Sequence, residues 1–106
     1  MIRPYDLFIV YISWGTGGKS RPVLVLSMGE TTVDVFPVTT QYANKSAAIQ
    51  AKYYPIAQWR EAGLDKESYV DTGTLLTIPL AVIAKKAPIG QLTMYDRLGL
   101  LALLSK

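Results

Sequence analysis

Hydrophobic and polar positions alternate through the first third of the chain, and glycine-containing segments interrupt the alternation. Residues 7–14 and 21–27 are rich in β-branched and aliphatic side chains, and residues 32–38 alternate valine with polar residues. Such runs are typical of β-strands. Residues 15–18 are predicted to form a loop and residues 28–30 a tight turn. The pattern therefore predicts three consecutive strands.

The middle of the chain gives weaker signals. Residues 47–53, 68–72 and 81–87 are predicted as further strands. Residues 57–62 are predicted as a short helix that Gly63 ends as its C-terminal cap. Pro37 lies inside the third strand, which indicates an edge or a β-bulge there.

The last segment has the clearest helical pattern. Thr93 followed by Asp96 resembles a capping box at the start of a helix. Five leucines then follow within one helical span, more than a single buried stripe accommodates. They are Leu98, Leu100, Leu101, Leu103 and Leu104. Two interpretations stay open: a well-buried helix, or a partly exposed one that completes a homodimer.

Short, closely spaced strands that end in one amphipathic helix favour a mainly β fold, a small and strongly curved β-barrel. The 106 residues match the size of one domain, so residues 1–106 are predicted as a single unit. No apolar run reaches the roughly 20 residues of a membrane-spanning helix, and the start of the chain lacks a secretory pattern. We therefore expect no membrane association and a cytoplasmic location.

The amino-acid composition excludes several kinds of chemistry. The chain has no histidine and no cysteine, which removes zinc sites built from them, Ser–His and Cys–His nucleophile pairs, and histidine acid–base catalysis. The acidic residues are scattered, so no metal site and no cofactor is predicted. A net charge of +3 leans toward a polyanionic partner.

Several segments, taken in order, resemble a known protein family. Residues 19–27 read Lys-Ser-Arg-Pro followed by an apolar strand that ends in Ser. Residues 36–41 read Phe-Pro-Val-Thr-Thr-Gln, and residues 70–78 begin Val-Asp-Thr-Gly. An Ile-Gly-Gln-Leu segment at 89–92 precedes the final helix. The ordered set is similar to the MazF/PemK family of toxins.

This resemblance implies an SH3-like barrel with a few helices that pairs as a homodimer. It implies a sequence-specific endoribonuclease that cuts single-stranded RNA without a metal ion. It also implies a cognate antitoxin protein that lies across the RNA groove. The family's catalytic arginine and threonine fall on Arg21 and Thr39.

The implied reaction is attack of an RNA 2′-hydroxyl on its own adjacent phosphate, so the protein needs no nucleophile. Arg21 suits a phosphate clamp, because its guanidinium is a rigid fork of donors, and the Thr39 hydroxyl can hold the same phosphate. Cations near the strand ends are expected to follow the RNA backbone, aromatic rings to stack on bases, and polar motif residues to complete the contacts. These residues are Trp14, Lys19, Ser20, Thr40, Gln41, Tyr42, Lys45, Asp71 and Thr72.

Two departures from the family pattern keep alternatives open. The predicted loop at 15–20 is short and carries no acidic residue, and Thr72 stands where the family has glutamine. A non-catalytic RNA- or peptide-binding barrel is therefore the second hypothesis. A structural interaction module without a nucleic-acid role is the third, and it predicts no salt-dependent RNA binding.

Overall fold

The computed structural model describes residues 2–106, apart from the side chain of Trp14, and contains a seven-stranded antiparallel sheet. The elements are β1 (Asp6–Trp14), β2 (Gly17–Met28), β3 (Thr32–Thr39), α1 (Ala47–Gln50), β4 (Tyr53–Pro55), β5 (Tyr69–Asp71), β6 (Leu76–Pro79), α2 (Ala81–Ala84), β7 (Gly90–Gln91) and α3 (Met94–Leu104). The strand order is β4-β5-β3-β2-β1-β7, with β6 also paired to β3. The mainly β class predicted from the sequence is confirmed.

Strand β3 has a different partner for each of its halves. Residues 32–35 pair with β6, whereas Val38 and Thr39 pair with β5. Pro37 lies between these pairings and opposite Val23 of β2. A proline cannot form a hydrogen-bonded pair with Val23, so its nitrogen faces the gap between β6 and β5. At Pro37 the edge of β3 is locally free, as one of the two predictions required, but the bulge lies elsewhere: the register shift is in β2, between Val25 and Ser27.

Three strand and loop predictions need correction. Residues 47–53 are not a strand, because the Ser46 hydroxyl caps the Ile49 amide at 3.3 Å and starts α1. Residues 81–87 contain the helix α2 instead of a strand. The loop at 15–18 shrinks to Gly15 and Thr16, since Trp14 already pairs with Gly17. Capping decided α1, packing of Ile83 decided α2, and strand pairing shortened the loop, none of which apolar content reveals.

Residues 57–63 form a turn rather than the predicted α-helix, but the turn ends as a helix would. Gly63 has a φ of +94°, in the left-handed region. Its amide donates to the Arg60 carbonyl at 3.0 Å, and the Leu64 amide donates to the Trp59 carbonyl at 3.0 Å. This pair of bonds is the Schellman pattern. The predicted capping role of Gly63 is confirmed.

Both faces of the sheet are buried, which gives the protein two apolar clusters. The first includes Leu7, Leu24, Phe36, Val38, Val70 and Leu100, and it lies under α3 and the 57–63 turn. The second includes Phe8, Val10, Val23, Val25, Val35 and Ile83, and it lies under α2. Neighbours along one strand enter opposite clusters because side chains alternate across a sheet. Continuous apolar runs such as residues 23–25 follow from this double burial.

Helix α3 is fastened by Asp96. Thr93 caps the helix by accepting from the Asp96 amide at 3.5 Å, but the carboxylate does not return to Thr93 as a capping box requires. It accepts instead from the Tyr54 hydroxyl at 2.7 Å and from the amides of Ala57 and Gln58 at 2.9 and 2.8 Å. Burial, followed by this bond to Asp96, raises the pKa of Tyr54. Asp96 thus joins α3 to β4 and to the turn.

The leucines of α3 divide between two sides of the helix. Leu100 is fully buried and Leu103 packs against the first cluster. Leu98, Leu101 and Leu104 are 59%, 47% and 46% exposed. The helix is therefore partly exposed rather than well buried, which agrees with the second of the two interpretations of its leucines. Within residues 2–106, no helix is long and apolar enough to cross a membrane.

We predict that Asp96→Ala lowers the free energy of unfolding by about 3 kcal/mol or more, because it leaves two backbone amides and the Tyr54 hydroxyl without their acceptor. Glu30→Ala, at an exposed acid, is the control and should change stability by less than about 0.5 kcal/mol. Urea denaturation monitored by circular dichroism measures both variants. Equal midpoints for Asp96→Ala and wild type would contradict the role given to Asp96.

Candidate functional site

A cleft opens where β2 and β3 separate. Their pairing ends at Val23 and Pro37, because β3 continues beside β5. The ends of the two strands beyond this point no longer hydrogen-bond to each other. A cavity of about 180 Å³ lies between them, lined by Lys19, Ser20, Arg21, Pro22, Val38, Thr39 and Thr40. The two predicted catalytic residues therefore share one cleft.

Arg21 enters this cleft with an unsatisfied donor. It lies opposite Val10 on β1, and its side chain is half-buried. Its Nε is buried and has no hydrogen-bond partner among the described residues. A buried donor without an acceptor costs about 1–3 kcal/mol. An anion such as a phosphate in the cleft would meet the exposed part of this guanidinium rather than Nε.

Thr39 is oriented by its own backbone turn. Its hydroxyl oxygen accepts from the Gln41 amide at 3.0 Å, which leaves the hydroxyl proton free to be donated. The same turn exposes Thr40 and Gln41 beside the cleft. Arg21, on β2, thus offers only hydrogen-bond donors, and Thr39, on β3, offers a donor hydroxyl. This set of donors suits a phosphate oxygen.

Three tyrosines form a cluster next to Thr39, here called the tyrosine cluster: Tyr42, Tyr53 and Tyr69. Tyr69 pairs with Thr39 across β5 and β3. The Tyr42 ring stacks on Tyr69 with 4.4 Å between centroids and an 11° angle between planes. Tyr53 lies 6.2 and 6.4 Å from the other two rings. One side of the cleft is therefore an aromatic surface of the kind on which bases stack.

Tyr53, in the tyrosine cluster, interacts electrostatically with both Asp71 and Arg21. Burial, then the nearby Asp71 carboxylate, raises the pKa of Tyr53, and Arg21 opposes this rise. The phenol therefore stays neutral at pH 7 and can donate a hydrogen bond. Tyr53 and Tyr69 are not among the site residues predicted from the sequence. The available signal was the spacing of Tyr69 and Asp71, two residues apart on one strand and hence on one face.

A second cavity, of about 310 Å³, continues from Tyr53 toward α1. It is lined by Lys45, Ala48, Ile49, Lys52, Tyr53, Asp71, Gly73 and Thr74. Asp71 accepts from the Gly73 amide at 2.9 Å, which fixes one carboxylate oxygen at the cavity. The Thr72 hydroxyl donates to the Lys52 carbonyl at 2.5 Å, a bond within the protein. Lys45 and Asp71 thus lie beside the tyrosine cluster, whereas Thr72 holds the loop in place.

The remaining predicted contacts fall into three groups. Lys19, Ser20 and Thr40 line the cleft between β2 and β3. Gln41 is exposed at its edge. The side chain of Trp14 lies outside the described part of the structure, so its stacking role stays a prediction, as do the binding roles of the other residues.

The connection between β1 and β2 brings no acidic residue to the site. It consists of Gly15 and Thr16. The nearest acidic residues along the chain are Asp6 before it and Glu30 after it. Among residues 2–106, no three acidic side chains lie close enough to hold a metal ion. The site is therefore built from a guanidinium, hydroxyls, lysines and aromatic rings.

Comparison with known proteins shows the class of this fold. No protein-family model and no curated protein matches the sequence. Among solved structures, the chain is similar to the Mycobacterium tuberculosis toxin MazF-mt6, with a TM-score of 0.71 and 25% identity over 94% of this chain and 92% of that chain. It is also similar to a second Mycobacterium tuberculosis toxin, with a TM-score of 0.65 and 24% identity over 92% of this chain and 97% of that one.

The fold is thus the curled antiparallel half-barrel with short helices that these toxins share. By this structural likeness the chain is similar to MazF toxins over nearly its whole length. The family resemblance drawn from the ordered sequence motifs is confirmed. The likeness spans nearly the whole length of both chains.

Proposed function

We propose that this protein is a sequence-specific endoribonuclease toxin that cleaves single-stranded RNA without a metal ion. The observation that carries the proposal is the buried, unpartnered Nε of Arg21, in a cleft shared with Thr39. A cation kept without an acceptor favours an anionic substrate group. The MazF-like fold supports the same assignment.

The proposed reaction is an internal phosphoryl transfer within the RNA. The 2′-oxygen gives its proton to water and bonds to the adjacent phosphorus while the bond from phosphorus to the 5′-oxygen breaks, and the departing 5′-oxygen takes up a proton from solvent. The products are a 2′,3′-cyclic phosphate and a 5′-hydroxyl. Arg21 neutralises the extra negative charge on the phosphate oxygens in the transition state, and the Thr39 hydroxyl donates to one of them. Neither group has to act as a nucleophile, which suits a chain without histidine or cysteine.

The surfaces beside Arg21 suggest a path for the RNA. Lys19 lines the cleft of the catalytic pair, Lys45 lines the second cavity, and both attract backbone phosphates. The tyrosine cluster offers ring faces to bases on the β5 side. Sequence specificity then depends on the hydrogen-bonding groups beside these surfaces, including Ser20, Thr40 and Asp71.

The proposed partners follow from the same assignment. A cognate antitoxin protein would cover the RNA cleft, and the toxin would work in the cytoplasm as a homodimer. The exposed side of α3 supports pairing: Leu98 and Leu101 lie opposite the buried side chains of Asp96 and Leu100. A two-fold contact through this side would remove those leucines from water.

A second candidate function is a non-catalytic RNA-binding barrel. The two-residue connection between β1 and β2, which carries no acidic residue, favours it. Such a protein would bind RNA with the same salt dependence and leave it intact. RNA cleavage by the purified protein separates the two functions.

We predict that Arg21→Ala and Arg21→Met each reduce the rate of RNA cleavage at least about a hundredfold, because the transition state loses its clamp. Arg21→Lys should also be poor, since an ammonium cannot make the bidentate contact. Arg21→Met should leave the protein as stable as wild type or more stable, because it removes a buried unpaired donor. Gel assays on a long unstructured RNA measure the rates, and urea denaturation measures the stability.

Arg60→Ala is the matched control for Arg21. Arg60 is an exposed arginine whose guanidinium lies 4.7 Å from the Trp59 ring, away from the cleft. Its loss removes the same charge and should leave the cleavage rate within about threefold of wild type. If Arg21→Ala cleaves within that range as well, the assignment of Arg21 is wrong.

We predict that cleavage continues in EDTA. Metal-dependent nucleases hold their ions with grouped carboxylates, and residues 2–106 bring no such group together. The measurement compares cleavage rates with excess chelator and with added magnesium. Loss of cleavage in chelator, with recovery in magnesium, would contradict the proposed mechanism.

We predict a homodimer whose interface includes the exposed side of α3. Light scattering at micromolar concentration should give about twice the 11.7 kDa chain mass. Leu98→Glu and Leu101→Glu should shift the protein toward monomer, because each places a charge in an apolar contact. Met28→Glu, at an apolar residue exposed elsewhere, should not. A wild-type monomer that cuts RNA at full rate would refute the paired form.

A further inference from the structure

A third cavity, here called the side cleft, lies next to Arg21 and outside the space shared with Thr39. It has a volume of about 360 Å³. Arg21, Ser20, Pro22 and Thr40 line both this cavity and the cleft between β2 and β3. The two cavities therefore adjoin along the edge of β2 that β3 has left free.

The floor of the side cleft is apolar and open to solvent. Ile9 and Ile89 are 38% and 37% exposed, and Pro22 and Leu64 complete the surface. A planar base gains by covering such side chains, since it removes apolar area from water and keeps its polar edge free. The floor thus suits the face of a nucleobase.

The far wall of the side cleft is rigid. Gly63 and Gly90 contact each other through their backbones, so that a Cβ on Gly90 would overlap the Ala62 carbonyl and one on Gly63 would overlap the Ile89 carbonyl. Ile89 is also bound to β1, through its amide and the Leu7 carbonyl at 2.8 Å. This contact holds the turn against the segment before β7 and keeps the cavity open.

The polar rim of the side cleft carries one acidic and one basic residue on a loop whose backbone is fixed. Asp65 and Lys66 are exposed and line the cavity. The loop is fixed on both sides: Leu64 is buried, and buried Ser68 donates from its hydroxyl to the Lys66 carbonyl at 2.8 Å. The backbone that carries one carboxylate and one ammonium is therefore fixed at the mouth of an apolar cavity.

We propose that the side cleft binds a guanine base of the RNA, in the nucleotide next to the phosphate held by Arg21. Guanine presents two adjacent N–H donors, N1–H and the N2 amino group, which match the two oxygens of the Asp65 carboxylate. Its O6 is an acceptor for the Lys66 ammonium. No other RNA base offers two adjacent donors and an acceptor along one edge, so Asp65 is the residue that selects the base. This inference rests on the proposed RNA substrate.

The test measures binding without turnover. Hexameric 2′-O-methyl RNA cannot be cleaved, because the 2′-hydroxyl nucleophile is blocked. Each hexamer carries one variable base among uridines, and fluorescence anisotropy gives its dissociation constant. We expect guanine to bind about tenfold more tightly than adenine or cytosine. Inosine, which lacks the N2 amino group, should fall between them.

Substitutions assign the preference to the side cleft. Asp65→Asn should reduce the guanine preference to less than about twofold, because an amide replaces one carboxylate acceptor with a donor. Lys66→Met should weaken binding of guanine more than binding of cytosine. Glu67→Gln removes a charge from the same loop at an exposed residue that does not line the cavity, and it should keep the preference.

The outcomes separate this inference from the proposed function. A guanine preference that Asp65→Asn removes supports the side cleft, even if the wild-type protein never cleaves RNA. Equal binding of all four bases, a preference for another base, or a preference that survives Asp65→Asn overturns it. Absence of RNA binding overturns it as well, whereas cleavage without guanine preference leaves only the proposed function standing.

Discussion

The change of partner along β3 is the constraint on which the site depends. One edge of a strand can pair with only one neighbour at a time, and β3 pairs first with β6 and then with β5. Pro37 lies at this change because its backbone donates no hydrogen bond there. Beyond it, β3 leaves β2, and the cleft with Arg21 and Thr39 opens. The change of partner that curls the sheet is therefore also what creates the site.

The site is held at a cost in stability. The Nε of Arg21 is buried without an acceptor, which a residue selected only for folding would avoid. The cost is tolerated because the rest of the sheet is buried on both faces, by α3 on one side and α2 on the other. Strain of this kind at one residue is typical of functional sites, where a preorganised group meets its ligand without rearrangement.

The two turns that shape the surroundings of the site depend on backbone contacts. Asp96 accepts from the Ala57 and Gln58 amides and so fixes the start of the 57–63 turn to α3. Gly63 ends that turn and packs against Gly90. The helix that carries the exposed leucines and the loop that carries Asp65 are therefore parts of one connected structure. A substitution of Asp96 would therefore affect the side cleft as well as α3.

The sequence by itself determined the three long strands, the final helix, the cap at Gly63 and the ordered motifs with Arg21 and Thr39, because alternation and turn chemistry are local properties. It did not determine α1 and α2, which apolar content predicted as strands, since Ser46 capping and packing of Ile83 outweighed propensity. Tertiary structure alone divided the leucines of α3 into buried and exposed. It also brought Tyr53 and Tyr69 to Thr39, because strand register joins residues that are distant in the chain.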